Sequence, residues 1–464
     1  MPGEPAWWRD RVLWAALLAA LALRAAPMLW WGWSGEDCTR DECIYKIVAR
    51  PILQGEGLGL SPKFWLPAPG LPYVMAACHE LLGSFEAVKW VHWALTVPLI
   101  SVLFCLADRV GGRRSARVMA GLFAVHPTFI FFVGTMWTEI FYTLWLCAAV
   151  LATLWAREGA PRRAVLAGLL LGICVLFRGV ATYVGPLCVL GLLAPEAGVV
   201  GREAWRAAAW SRRRHAGAFV AAMLLVVLPY SVSASARWGG LVVSDATLGH
   251  VAALGNDVYP PVTFDYAIGQ LTGRVYGQTL DEGRRDCPRR DGPLAHDRCE
   301  VRRAAAWVWA NPVEFLRRVP IRLAQLFNPH SFLTRHVRWN YWPGLPWAAK
   351  EGLIVYQVLF TWLVVLGGSV VAWARGRGPY LLLMASIIGY HVAVIGALYG
   401  LTRFRLPLEP LWMVYLAWGL ADPRGTWAAL RSSRTRLAGA AVTVAVLAPL
   451  LGTYVWTGFP GLGW

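Results

Sequence analysis

Long apolar runs separated by short arginine-rich stretches organise this chain. Runs near the roughly 20 residues needed to cross the hydrocarbon layer of a bilayer occur near 12–33, 87–107, 116–135, 137–156, 163–178, 180–195, 216–235, 352–374, 379–401, 406–421 and 437–457. The pattern predicts an all-α polytopic membrane protein with about eleven transmembrane helices. The first run follows Arg9 and Arg11, extends to Trp30–Trp33 and lacks a clear small-residue cleavage site, so it reads as a retained helix rather than a signal peptide.

Two stretches are too long to be connectors, 34–86 and 236–351, and loops of that length are usually functional or folded units. They divide the chain into an N-terminal transmembrane half (1–235), a large loop region (236–351) and C-terminal transmembrane helices (352–464). The first long loop contains WLPAPGLP (65–72), whose prolines favour extended or turned backbone, and it reads as lying along the membrane surface. In the second, Asn311 is placed to cap a juxtamembrane helix opened by Pro312. Val313, Leu316, Val319, Leu323 and Phe327 fall near helical spacing there, and Pro320 is expected to kink the helix, which would rest on the bilayer or on other helices.

Charge sets the orientation. Threaded from a cytoplasmic N-terminus, the clusters Arg109/Arg113/Arg114/Arg117, Arg157/Arg162/Arg163, Arg202/Arg206/Arg212/Arg213/Arg214, Arg375/Arg377 and Arg424/Arg431/Arg434/Arg436 all fall inside, as the positive-inside rule requires. Both long loops are then external. The expected location is the cell (inner) membrane, with the active site on the external or periplasmic face.

Composition supports a bilayer rather than a nucleic-acid partner. With 57% hydrophobic and 15% charged residues, the 464-residue chain has more apolar surface than one soluble core encloses. The formal charge of +17 would suit nucleic acid, but its arginines are scattered between apolar runs rather than gathered in a stripe. No nucleotide-binding glycine signature, zinc-finger spacing or internal repeat is present. Five cysteines (Cys78, Cys105, Cys147, Cys174, Cys188) lie in apolar segments and read as small buried hydrophobes. Cys38 with Cys43, and Cys287 with Cys299, fall in the external segments, where two disulfides are possible.

Candidate chemistry begins in SGEDCTRDECIYKIVARPILQGEGL (34–58), where Glu36, Asp37, Asp41 and Glu42 cluster beside a Trp-rich edge. Thr39 and Glu42 have capping-box spacing, and Glu42 stands four residues from Lys46, an ordinary helical ion pair. Asp41 is different. Its helical neighbours are Ile44, Tyr45, Val48 and Ile52, so it heads the apolar face, ionised in a first helical turn and able to accept a proton. Surface complementation of the helix dipole is the competing explanation on this stretch alone.

The threading brings Glu139 (MWTE), Arg178 (LFRG) and Arg403 and Arg405 (LTRFRLPLEP) to the same face as Asp41. Each alone reads as an interfacial snorkelling charge. Together, an acid with several guanidinium groups suits an anionic lipid head group and a proton acceptor. Lys63 adds a point charge to that set or simply faces water. Arg24, within the first run, needs a partner or water, while His126, His391 and Glu409 read as polar groups bonding neighbouring helices.

These residues carry a resemblance. DECIYKIVARPILQGEG (41–57), PAPGLP (67–72), TE (138–139), LFRG, ALGND (253–257), ANPVEF (310–315) and TRFRLPLEP (402–410) resemble, in order and placement, the GT-C class of polytopic glycosyltransferases, of the protein O-mannosyltransferase and aminoarabinose-transferase type. The resemblance covers most of the chain to about residue 420. It implies transfer of a sugar from a polyprenyl-phosphate donor to a protein, lipid or glycan acceptor on the non-cytoplasmic side, with inversion, and places the catalytic aspartate at Asp41. Glu139, Arg178, Arg403, Arg405, Lys63 and Glu42 then become substrate-binding candidates. Acidic residues are able to hold a divalent cation, but no ligand spacing requires one, and no metal ligand is assigned. A lipid or glycolipid transporter or flippase, and a non-catalytic assembly protein, are the alternative readings.

Overall fold

The computed structural model describes residues 7–30, 40–61, 65–196, 199, 201–256, 287, 292–330, 332–338, 344–376 and 378–456. The described chain is helical, in the order α1 (Arg11–Trp30), α2 (Arg40–Leu53), α3 (Gly70–Leu82), α4 (Val88–Gly111), α5 (Arg113–Ala124), α6 (Pro127–Val133), α7 (Glu139–Arg157), α8 (Arg162–Phe177), α9 (Val184–Leu193), α10 (Arg202–Trp238) and α11 (Leu248–Gly255). Further helices follow at Pro293–Ala310, Pro312–Phe327, Phe332–Arg338, Trp347–Trp362, Gly368–Arg375, Gly378–Ala397, Glu409–Ala421, Pro423–Arg431 and Arg434–Trp456. This is an integral membrane protein built from helices.

Among the described residues each of the eleven predicted runs contains a helix, but six helices are long and apolar enough to cross a bilayer. They are Phe85–Gly111, Glu139–Arg157, Arg202–Trp238, Trp347–Arg375, Gly378–Ala397 and Arg434–Gly452. The run at 116–135 is broken: α5 and α6 meet at 56° and count as a seventh span only if taken together. Pro127 explains the break, since it removes a helical donor and turns the preceding residue out of the helix.

That break leaves the carbonyls at the end of α5 without helical donors, and Arg24 fills the need. Its guanidinium, 1% exposed, donates to Phe123 O (2.9 Å) and Ala124 O (3.0 Å) and lies over the Phe123 ring. A cation at a helix C-terminus is favoured by the dipole, so this mid-helix charge is a structural clamp. On the other side of the break, His126 precedes α6 and its Nε2 meets Glu409 at 2.7 Å, a helix-to-helix bond of the kind the sequence suggested.

Close packing also depends on small residues. α8 lies between α7 and α10, and its glycines at 168 and 172 face α10 with almost no clearance. A Cβ at Gly168 would stand 2.1 Å from Phe219 O, and one at Gly172 would stand 2.7 Å from Val226 Cβ. This spacing of small residues is a common device for bringing membrane helices together by van der Waals contact.

The arginine clusters assigned to one side of the membrane meet at one end of the bundle. Arg109 pairs with Glu158, which also accepts from Tyr380; Arg157 and Arg212 both bind Glu196; and Arg375 pairs with Asp422. The two long loops lie at the opposite end and are joined there by an antiparallel bridge in which Leu66 and Ala246 exchange backbone hydrogen bonds of 3.2 and 2.9 Å. In the second loop Cys287 is disulfide-bonded to Cys299. Cys43 is also disulfide-bonded, and its proposed partner Cys38 lies outside the described residues.

The helix Pro312–Phe327 differs in detail from its sequence reading. Asn311 precedes it, but its amide donates back to Trp307 O at 3.0 Å instead of capping the new helix. The helix continues through Pro320. Val313 and Leu316 are exposed whereas Arg318 and Arg322 are buried, so part of the apolar stripe faces outward. Arg322 donates to Gly255 O (2.6 Å), Asn256 Oδ1 (2.7 Å), Gly396 O (2.9 Å) and Ala397 O (2.8 Å), closing the C-termini of α11 and the helix Gly378–Ala397 together.

Candidate active site

At the end of the bundle carrying the long loops, three of the predicted residues converge. Glu139 opens α7, where the helix dipole favours an acid, and it is 1% exposed. Arg178 follows α8 in extended backbone, directing its Nη2 to Glu139 Oε1 at 2.6 Å and its Nε to Thr138 Oγ1 at 3.0 Å. Arg403, from the 3₁₀ turn Thr402–Phe404, places its Nε 3.9 Å from the same carboxylate oxygen.

Both guanidinium groups lie 5.5 Å from the Phe404 ring centre; Arg403 also lies over Trp137 and Phe332, and Arg178 over Tyr142. Aromatic faces hold planar guanidinium groups in fixed positions. Two guanidinium groups thus face one carboxylate, an arrangement whose donors suit a bound or developing anion. Tyr142 is tied in turn to His391, its Oη 2.8 Å from Nε2, so His391 supports the wall of the site.

The helix bearing Asp41 is docked onto this cluster. Glu42, 6% exposed, accepts the Met136 amide through Oε1 at 2.7 Å, which seats the first turn of α2 on the turn that leads into Glu139. Ile44 and Val48, one and two turns beyond Asp41, are buried against the long loops, as the predicted apolar face requires. Asp41 itself lies in the first turn of α2.

Several expectations need correction. Lys46 does not serve Glu42 as an i,i+4 partner in the way the spacing suggested: it reaches across to Glu86 at 2.9 Å, while Glu42 turns toward α7. Arg405 is not presented to a ligand. It is 1% exposed and spends its donors on Glu409 (2.7 Å), Leu326 O (2.8 Å) and Asn328 O (2.9 Å), so only the first arginine of TRFR belongs to the cluster. Lys63 lies outside the described residues. Among the described residues, no group of three or more His, Cys, Asp or Glu side chains comes together that could hold a metal ion.

One acid was missed. Asp245, just before the Ala246 bridge, accepts the Gly179 amide through Oδ2 at 3.0 Å, directly behind Arg178. Burial pushes its carboxyl up to about 6, against the lowering effect of the Gly179 hydrogen bond. No periodicity marks a loop aspartate. The available signal was compositional, because it is the one acidic residue between Glu203 and Asp257.

No family model and no curated protein matches the sequence. Solved structures do. The archaeal oligosaccharyltransferase AglB from Archaeoglobus fulgidus, in complex with an inhibitory peptide and a dolichol-phosphate, aligns over 96% of this chain and 55% of its own, with TM-score 0.51 and 17% identity. An Archaeoglobus fulgidus oligosaccharyltransferase tethered to an acceptor peptide containing the NVT sequon aligns with TM-score 0.53 and 16% identity, covering 96% of this chain and 55% of that one. ArnT from Cupriavidus metallidurans bound to undecaprenyl phosphate is more distant, with TM-score 0.38, 14% identity, and coverage of 90% and 78%. The chain thus shares the fold of the archaeal enzyme and spans just over half its length, 55%.

Proposed function

We propose that the protein is a membrane glycosyltransferase that moves a sugar from a polyprenyl-phosphate carrier to an acceptor hydroxyl, with inversion, on the non-cytoplasmic side of the cell membrane. The observation that carries this reading is the pair Arg178 and Arg403 on one buried carboxylate, in the segment to which Glu42 of α2 is hydrogen-bonded through Met136. A fold shared with an enzyme whose structure contains dolichol-phosphate supports it.

In this reading Asp41 accepts the proton of the acceptor hydroxyl as its oxygen attacks the anomeric carbon. The bond from that carbon to the carrier phosphate breaks, and its electron pair leaves with the lipid phosphate. Arg403 and Arg178, with Lys63 as a further point charge, offset the charge that develops there. Glu139 holds Arg178 in place and limits the positive charge the empty site must tolerate. Glu42 fixes the height of Asp41 by anchoring α2.

The test is a panel of polyprenyl-phosphate sugars offered to the protein in lipid nanodiscs with hydroxyl acceptors, following release of polyprenyl phosphate. Release from at least one donor, lowered in Arg403→Gln with the fold retained, is the expected result. No release from any donor, or release indifferent to Arg403, would contradict the reading.

A further inference from the structure

Asp245 is a half-buried carboxylate that the proposed chemistry does not use, yet it touches the site's scaffold. Its Oδ2 accepts the Gly179 amide at 3.0 Å, and residue 179 immediately follows Arg178. The contact is close enough that a Cβ on Gly179 would fall 2.6 Å from both carboxylate oxygens, so Gly179 is what admits the acid. The aspartate is itself held from the other side, because the next residue, Ala246, is bridged to Leu66 of the first long loop. Gly70, four residues beyond Leu66, packs against Phe177 and Leu176 O at the end of α8, where a Cβ would meet both within 2.9 Å. Both long loops therefore converge on the corner that carries Arg178.

We propose that Asp245 is a positioning residue of the candidate site, its ionised carboxylate binding the Gly179 amide and so fixing the backbone from which Arg178 reaches Glu139. The role rests on the glycosyltransferase reading above, although the anchoring itself does not.

Among the described residues, the charged and titratable groups facing Asp245 are Arg178 from the α8 corner, Tyr230 from α10 and Asp297 from the helix Pro293–Ala310, with Thr247 hydrogen-bonded from its own loop. Asp297 adds like charge, and its own Oδ1 is engaged by the Gly249 amide at 2.7 Å. Burial raises Asp245 to about 6, so the acid that accepts the Gly179 amide is ionised above that pH and protonated below it. The sign for stability is the opposite of the sign for function. An aspartate whose folded value lies above its unfolded value favours folding most at low pH, and that contribution is lost as pH rises through about 6. The ionised form that anchors Arg178 is thus held at some expense to stability.

Backbone hydrogen exchange of segment 176–183, corrected for intrinsic rate and measured on the full chain in nanodiscs without donor, tests this at pH 5 and pH 8 in the wild type and Asp245→Asn. The wild-type segment should exchange about tenfold more slowly at pH 8 than at pH 5, the equivalent of one charge-assisted hydrogen bond. Asp245→Asn should show no such pH dependence while its melting temperature at pH 8 equals or exceeds that of the wild type. Where transfer is measurable, the wild-type pH profile of kcat should fall below about pH 6, and the variant should lack that limb. Exchange that is equal at the two pH values in the wild type, or an Asp245→Asn variant that keeps the wild-type pH dependence, would overturn the proposal. Since exchange needs no donor, anchoring confirmed in a protein that consumes no sugar donor would count against the transferase reading alone.

Discussion

Replacing Arg178 by glutamine isolates the interaction on which the site geometry depends. The substitution removes the 2.6 Å contact and leaves the Glu139 carboxylate, 1% exposed, with only Arg403 at 3.9 Å to offset it. Removing one partner of a buried ion pair costs about 3–5 kcal/mol, and the remaining guanidinium places this case toward the lower end, about 3 kcal/mol. Glu139→Gln should cost less. The Arg178 side chain is 19% exposed and keeps access to water, so a loss of about 1.5–3 kcal/mol, the value of a hydrogen bond to a charged group, is expected. The double variant no longer buries an uncompensated carboxylate, and its cost should fall below the sum of the singles by about 2 kcal/mol. Reversible unfolding in mixed micelles, read by tryptophan fluorescence across all four proteins, measures the coupling. Losses that add to within about 0.5 kcal/mol would show that the two groups do not act as a pair and would refute the geometry.

Two further substitutions probe how the site is mounted. Arg322→Met takes the side-chain donor from Gly396 O and Asn256 Oδ1, while Gly255 O keeps Arg318 and Ala397 O keeps the Asn256 amide, and should lower unfolding free energy by about 2 kcal/mol or more; a loss below about 1 kcal/mol would remove its status as a clamp between helix ends. Glu42→Ala should cost about 1–3 kcal/mol by orphaning the Met136 amide, whereas Glu42→Gln, which retains an acceptor oxygen, should cost distinctly less. Equal losses in the two Glu42 variants would argue against docking of α2 through that bond.

The sequence made the helices legible and the clamps illegible, for a physical reason. Apolar runs report the average environment of about twenty residues, and each predicted run contains a helix. Whether a run crosses a bilayer alone depends on breaks such as the one at Pro127, which averages conceal. Arg24, Arg322 and Arg405 are close to indistinguishable in sequence from Arg178 and Arg403: each is an arginine in or beside an apolar helix. What separates them is which carbonyls lie within reach, a property of residues 67 to 100 positions away. Glu42 was misjudged on the same ground, because local spacing pointed to Lys46 while its acceptor role was set by Met136, 94 positions on. Asp41 was proposed on local evidence, the first turn and apolar face of a single helix, and Ile44 and Val48 of that face are buried.

The central claim is that Asp41 is the base, and single-turnover transfer from a donor that the wild type uses tests it most directly. With Asp41→Asn the transfer rate should fall by about 10²- to 10⁴-fold, the usual contribution of a general base, with membrane insertion and donor binding unchanged. A variant that transfers at the wild-type rate would contradict the account.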